Sequence, residues 1–255
     1  MPKAFLLVQL SDPHIGATWG VGDPVAGLRA AVESVLRLPD APDAVLMSGD
    51  LADNAADWEY ETVRDLLASL NVPFYVLPGN HDDRDTLRRQ FDLPGAGAPG
   101  TPVQYAVDLG PLRLVILDST RPGEVPGHLD AERLSWLDRE LARAPERVTL
   151  LALHHPPVST GIAAWDELCL PPDDRSALAD VLQRHPQVRR VVAGHVHRTM
   201  AAELGGRTVL TVPSTYVQTR LSFNSREAEV AAEPPGYAVH ALLEGEIASH
   251  IQPVG

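Results

Sequence analysis

A layered α/β fold is what the sequence predicts, on three observations. Short runs rich in Val, Leu and Ile recur along the chain, segments of helical periodicity separate them, and nearly every run stops at glycine or a polar residue. Runs that are apolar at almost every position suit strands buried on both faces. Strand alternating with helix implies a sheet covered by helices.

Taken in order, the first run is AFLLVQL (4–10), and AGLRAAVESVLRL (26–38) then repeats its apolar residues at helical steps. DAVLMS (43–48) is followed by the helical ADWEYETVRDLLASL (56–70), and PFYVLP (73–78) by RDTLRRQF (84–91). The stretch LPGAGAPGTP (93–102) is bounded by prolines and reads as irregular. LRLVILD (112–118) precedes the helical DAERLSWLDRELARA (130–144), where Leu134, Leu137 and Leu141 share a face. VTLLAL (148–153), the helical DDRSALADVLQRH (173–185) and VRRVVAG (188–194) complete the alternation, with Asp130 and Asp173 as expected N-caps. Beyond residue 200 the texture changes to shorter, alternating strands: TMAAEL and RTVLTV, joined at Gly205–Gly206, then YAVHALL and EIASHI. The polar segment 222–236 reads as a loop within an excursion spanning 213–236.

A length of 255 residues, 44% hydrophobic and 22% charged, with no repeat and no linker, reads as a single domain over 1–255. The net charge of −13 argues against a nucleic-acid polymer as partner, since backbone binders carry a basic face. No segment approaches the ~20 apolar residues of a membrane helix, and MPKAFLLVQLSD lacks the form of a signal peptide. The lone Cys169 rules out an internal disulfide. Together these features lead to the expectation of a cytoplasmic protein with no membrane partner.

The ends of the runs carry the chemistry. After the first come Asp12 and His14, after the second Asp50, after the third Asn80, His81 and Asp82, after the fifth His154 and His155, after the sixth His195 and His197. Six of the ten histidines therefore fall at strand ends, where open α/β sheets bind ligands. Asp or Asn oxygen with imidazole nitrogen suits Zn, Fe, Mn or Co, and the absence of cysteine ligands argues against a structural zinc site. Two such ions can clamp the attacking and leaving oxygens of an in-line displacement.

Asp12-Pro-His14, Gly49-Asp50, Gly79-Asn80-His81-Asp82, His154 and Gly194-His195-Val196-His197 together resemble the five-block signature of the calcineurin-like metallophosphoesterase superfamily. Within it, SGDLAD, LPGNHDDR, LHHPPV and GHVHR resemble the class III cyclic-nucleotide phosphodiesterases and related glycerophosphodiesterases of bacteria. The resemblance implies a four-layer α/β/β/α sandwich of two mixed sheets. It implies one metal held by Asp12, His14 and His197, a second held by Asn80, His154 and His195, and Asp50 bridging them. Fe, Mn, Zn or Co would fill the sites, mixed Fe/Mn or Fe/Zn pairs included. His81 would face the phosphate as a catalytic group beside Asp50, His155 would lie outside the ligand set, and Asp82 or Asp83 would orient His81 or cap the next helix. Hydroxide would attack phosphorus in a small phosphodiester, with cyclic AMP the expected substrate. Glycerophosphodiester or broader phosphoester hydrolysis is the alternative, a catalytically dead scaffold the remote one, and a homodimer is among the expected assemblies. Arg84 and Arg198 are the only bases close to the ligand blocks, and Tyr216 and Phe223 are candidate aromatic contacts for a base.

Overall fold

The computed structural model describes residues 4–95 and 97–255; Met1–Lys3, at the head of the N-terminal segment, and Ala96, inside the irregular stretch 93–102, lie outside them. The chain runs β1 (Phe5–Leu10), α1 (Pro24–Leu36), β2 (Ala44–Met47), α2 (Asp57–Ala68), β3 (Phe74–Val76), α3 (Arg84–Gln90), β4 (Tyr105–Leu109), β5 (Leu112–Ile116), α4 (Ala131–Ala142), β6 (Thr149–Ala152), α5 (Ala163–Asp166), α6 (Pro172–Arg184) and β7 (Val188–Ala193). It continues through β8 (Met200–Leu204), β9 (Arg207–Thr211), β10 (Gln218–Thr219), β11 (Val230–Ala231), β12 (Gly236–Leu243) and β13 (Glu246–Pro253).

Two mixed sheets form. The first has the order β13-β12-β1-β2-β3, parallel from β1 to β3 and antiparallel at β12 and β13. The second has the order β4-β5-β6-β7-β9-β8, parallel from β5 through β9 with an antiparallel strand at each edge. Successive residues of a strand face opposite ways, and the second sheet shows it. Leu112, Leu114, Ile116, Leu150 and Ala152 join the core shared with the first sheet, α1, α2 and α3. Val115, Leu117, Leu151 and Leu153 join a second core with Leu137 and Leu141 of α4 and Leu178 and Leu182 of α6. Both faces of the sheet are thus buried along its central strands, which is why their runs are apolar at most positions. The layers are helix, sheet, sheet, helix, as the resemblance implies.

Helix starts follow side-chain chemistry. Asp23, Asp83 and Asp130 cap α1, α3 and α4, each accepting from a backbone N–H in the first turn. Asp173 does not cap: α6 begins one residue earlier at Pro172, whose fixed φ suits a first helical position, and Asp173 lies in the first turn. The segment 222–236 is also not wholly loop, because Val230 and Ala231 pair with Thr219 and Gln218.

Candidate metal centre

The two sheets bring the carboxyl ends of β1, β2 and β3 against those of β6 and β7. Backbone bonds zip the loops pairwise: Asp12 N–H donates to Gly49 O (3.1 Å), His14 N–H to Asp50 O (3.0 Å) and Gly194 N–H to His154 O (3.1 Å). His195 N–H then crosses between sheets to Asp12 Oδ1 (3.0 Å), and His81 N–H reaches Asp50 Oδ1 (3.0 Å). Gly194 sits where the sheets meet; a Cβ there would lie 2.2 Å from Ser11 Oγ and 2.7 Å from Asp12 Oδ2. The turns are tight enough to force unusual backbone. Of eight described non-glycine residues with positive φ, five are Asp12, His14, Asp50, His195 and His197. Such conformations gather where surrounding structure over-determines them, as at binding sites.

Three groups of donor atoms result, each with its atoms within 4.8 Å of one another: the smaller His14–Asp53–His81 at the rim, and the two that matter most here, Asp12–His14–Asp50–His197 and His154–His155–His195. Asp50 Oδ2 stands between these two, 3.5 Å from His14 Nε2 and 3.3 Å from His154 Nε2. The imidazole protons follow from the acceptors opposite them. His14 Nδ1 faces Asp53 Oδ1 (3.1 Å), His154 Nδ1 faces Ser48 O (2.9 Å) and His197 Nδ1 faces Val217 O (3.0 Å). Each Nδ1 therefore carries the hydrogen, and each Nε2 turns a lone pair inward. His14 Nε2 and His197 Nε2 lie 3.0 Å apart, lone pair against lone pair. Asn80 Oδ1, His154 Nε2 and His195 Nε2 are buried without a hydrogen-bond partner. Convergent, unpaired donors of this kind fit cations. The oxygen and nitrogen set suits Zn, Fe, Mn or Co.

Electrostatics show what a cation would displace: the carboxylates of the site favour protons on His14 and His154, which metal binding would release. Burial penalises charge throughout, yet His154 and His14 hold the Asp50 carboxylate well below its ordinary range. His154, buried against Asp50, is pushed up to about 9. Burial holds His197 down to about 3 and His195 well below its usual value, keeping their lone pairs free. Burial pushes Asp12 up to about 6, against its neighbouring histidines. Asp12 is further fixed by a chain of side chains. Ser249 Oγ–H donates to His240 Nδ1 (2.8 Å), and His240 Nε2–H to Gln9 Oε1 (3.0 Å). Gln9 Nε2–H donates to Ser48 Oγ (2.8 Å), Ser48 Oγ–H to Ser11 Oγ (2.7 Å), and Ser11 Oγ–H to Asp12 Oδ2.

The remaining residues fall into place around this cluster. His81 is part-exposed, and its Nδ1–H donates to Asp53 O (3.1 Å). A cleft of about 400 Å³ beside it is lined by Asn80, His81, Arg84, Thr120 and Arg121, among others. His155 is buried beside His154 and His195, but its nitrogens meet Ser119 Oγ (2.9 Å) and Val125 O (2.9 Å). Asp82 neither touches His81 nor caps a helix; its carboxylate accepts from the N–H groups of Leu51, Ala52 and Gly79, stapling two ligand loops together. Asp83 is the helix cap. Arg84 is ion-paired with Asp118 (2.7 Å) and Arg198 with Glu233 (3.0 Å). Tyr216 packs on Trp19, while Phe223 is exposed and lies against Gly161. Sequence reasoning missed Asp53, Trp19 and Trp165. Trp19 Nε1–H donates to Asp53 Oδ1 (3.0 Å), and both indoles stand near-parallel to the His197 ring.

The fold and this cluster together define a phosphoesterase of the two-sheet, metal-dependent class. The calcineurin-like phosphoesterase model matches residues 5–199, and the chain belongs to that family. A probable glycerophosphodiester phosphodiesterase (GpdQ) from Arcobacter nitrofigilis is 33% identical over 98% of this chain and 93% of its own length. A 3',5'-cyclic adenosine monophosphate phosphodiesterase (CpdA) from Pseudomonas aeruginosa is 36% identical over 84% of this chain and 77% of its own. Among solved structures, a dimetal phosphatase from Danio rerio superposes with a TM-score of 0.70 at 19% identity, covering 98% of this chain and 99% of that one. No helix among the described residues is long and apolar enough to cross a membrane.

Proposed function

We propose that this chain hydrolyses small phosphodiesters, cyclic AMP among them, at a centre of two transition-metal ions. Asp12, His14 and His197 would hold one ion, Asn80, His154 and His195 the other, and Asp50 both. The observation that carries this reading is the convergence of unpaired Nε2 and Oδ atoms around Asp50 Oδ2. Ions of this class, when bound, acidify water and neutralise charge on a transferring phosphoryl group. The chain's own residues do the rest. Asp53 fixes two histidines: its carboxylate orients His14 and its carbonyl orients His81. With Nδ1–H so anchored, the mobile proton of His81 sits on Nε2, where it can pass to the departing alkoxide.

A diester carries one negative charge at neutral pH and a monoester nearly two. Arg84 and Arg198, next to the ligand blocks, are already engaged by Asp118 and Glu233, and Arg121 in the cleft by Glu124. That leaves little added cationic charge for a dianion and favours the diester. The names of the relatives point the same way. Cleavage of glycerophosphodiesters is the second reading, supported by the relative that aligns over nearly the whole chain. We further propose that residues 1–255 work as one domain in the cytoplasm, without a nucleic-acid polymer or a membrane as partner. Steady-state kinetics of the manganese-loaded protein test the substrate class. A higher kcat/KM for p-nitrophenyl phosphate than for its bis ester would overturn the diester reading. Much faster cleavage of glycerophosphodiesters than of cyclic AMP would shift it to the second.

A further inference from the structure

Trp165 belongs to α5, a single turn that the chain takes care to fix. The Asp166 carboxylate accepts from Ser159 Oγ (2.7 Å), Thr160 N–H (2.6 Å) and Thr160 Oγ1 (2.8 Å). Trp165 N–H bonds back to Ile162 O (2.8 Å), and Cys169 N–H closes onto Trp165 O (3.0 Å). The indole so held reaches the metal-ligand cluster. Its ring centroid lies 5.1 Å from that of His195, edge-on at 81°, and 6.1 Å from that of His197, at 29°.

The two site tryptophans differ in one respect. Trp19 Nε1–H has an acceptor, Asp53 Oδ1. Trp165 Nε1 is buried and has none among the described residues. Native structures seldom leave a buried N–H unpaired, and each such group calls for a specific explanation. The imidazoles beside it do not accept from it: His197 Nδ1 is committed to Val217 O, and His195 Nε2 makes no hydrogen bond to the indole. The acceptor must therefore arrive with whatever occupies the site. The natural one is an anionic phosphoryl oxygen, which accepts more strongly than a neutral group.

We propose that Trp165 is a phosphate-binding residue, its Nε1–H donating to a non-bridging oxygen of the bound phosphoester while its ring walls the site beside His195 and His197. The inference rests on the reading of the cluster as a phosphoesterase centre. An N–H donor of this kind adds no net charge, which suits a diester monoanion. Rigid attachment through Asp166 means the donor is in place before the ester arrives.

The test uses zinc-loaded, ¹⁵N-labelled protein and inorganic phosphate as probe. The four indole N–H resonances are assigned by single Trp→Phe substitutions at 19, 58, 136 and 165, so that the Trp165 signal is also identified by elimination. On titration the Trp165 resonance should move downfield and saturate with phosphate. Trp165→Phe keeps a ring but no donor. It should weaken phosphate about 10- to 100-fold, and raise KM for a diester by a similar factor, at unchanged zinc content. A Trp165 signal that stays still while phosphate binds, or equal phosphate affinity in Trp165→Phe, overturns the proposal. Wild-type protein that cleaves no diester would overturn the substrate reading instead, and the phosphate titration would still decide the role of Trp165.

Discussion

Replacement of Asp50 by Ala removes a carboxylate that approaches both donor groups. Metal analysis should then find at least one ion lost, and activity should fall by ~10³ or more, as when a central electrostatic element is deleted. Two retained ions with near-normal turnover would contradict the bridge. His81→Ala should behave differently. Its Nδ1 is anchored on Asp53 O, outside the unpaired donor set, so both ions should stay while kcat drops ~10²–10⁴. The loss should shrink for p-nitrophenyl esters, whose leaving group needs no proton. Asp53→Asn disturbs the partner of His14 Nδ1, and outer partners of ligating histidines are worth ~10–100-fold in metal affinity. Competition with a chelator would read that directly. The ligand-type residues were legible in the sequence because each closes an apolar run, and a strand end is a place that sequence can locate. Asp53 closes SGDLAD, yet nothing local gives it, Trp19 or Trp165 a role. They acquire meaning only through His14, His81, His195 and His197, which the fold brings from other parts of the chain. Nor does a sequence reveal that five of the ligand-type residues adopt positive φ.

Among the elements, β6 and β7 matter most at their last residues, where Gly194 lets the second sheet close on Ser11 and Asp12 of the first. A methyl at Gly194 would meet Ser11 Oγ, Asp12 Oδ2 and the Ser48 carbonyl, the last at 2.9 Å. Gly194→Ala should therefore part the two loops, weaken metal binding well over tenfold and lower Tm, with metal titration and thermal unfolding as the checks. Fully buried strands and amphipathic helices were readable because their periods differ. Asp173 misled because aspartate is favoured both as a cap and within the first turn, and Pro172 decided between them. β11 escaped notice because two residues carry no period, and its pairing with β10 is a tertiary event. α5 is only four residues long, yet it carries a site indole.

For the molecule as a whole, acid stability should depend on His240. Buried on β12, it is held neutral down to about 3, by desolvation first and by the nearby Arg190 cation second. The unfolded chain would protonate it near the ordinary 6.5. Above that pH its contribution is fully present. As pH falls from 6.5 toward 3, the unfolded state takes up a proton that the folded state refuses, and stability declines. The ceiling is on the order of 5 kcal/mol. Urea unfolding of His240→Gln between pH 7 and pH 4 should give a visibly flatter profile than wild type. The same histidine passes the relay from Ser249 through Gln9, Ser48 and Ser11 to Asp12, and this bears on synthesis on the ribosome. The seven candidate ligands have all been translated by residue 197, but the strand that pairs with the open side of β1 arrives only with residues 236–243. Until then β1 presents an unpaired edge and Gln9 Oε1 lacks its donor. A nascent chain halted at residue 235 should thus carry every candidate ligand and still hold metal poorly. The earliest-made candidate ligand is finished by a strand made long after it, so metal capture should report that β12 has emerged and paired with β1.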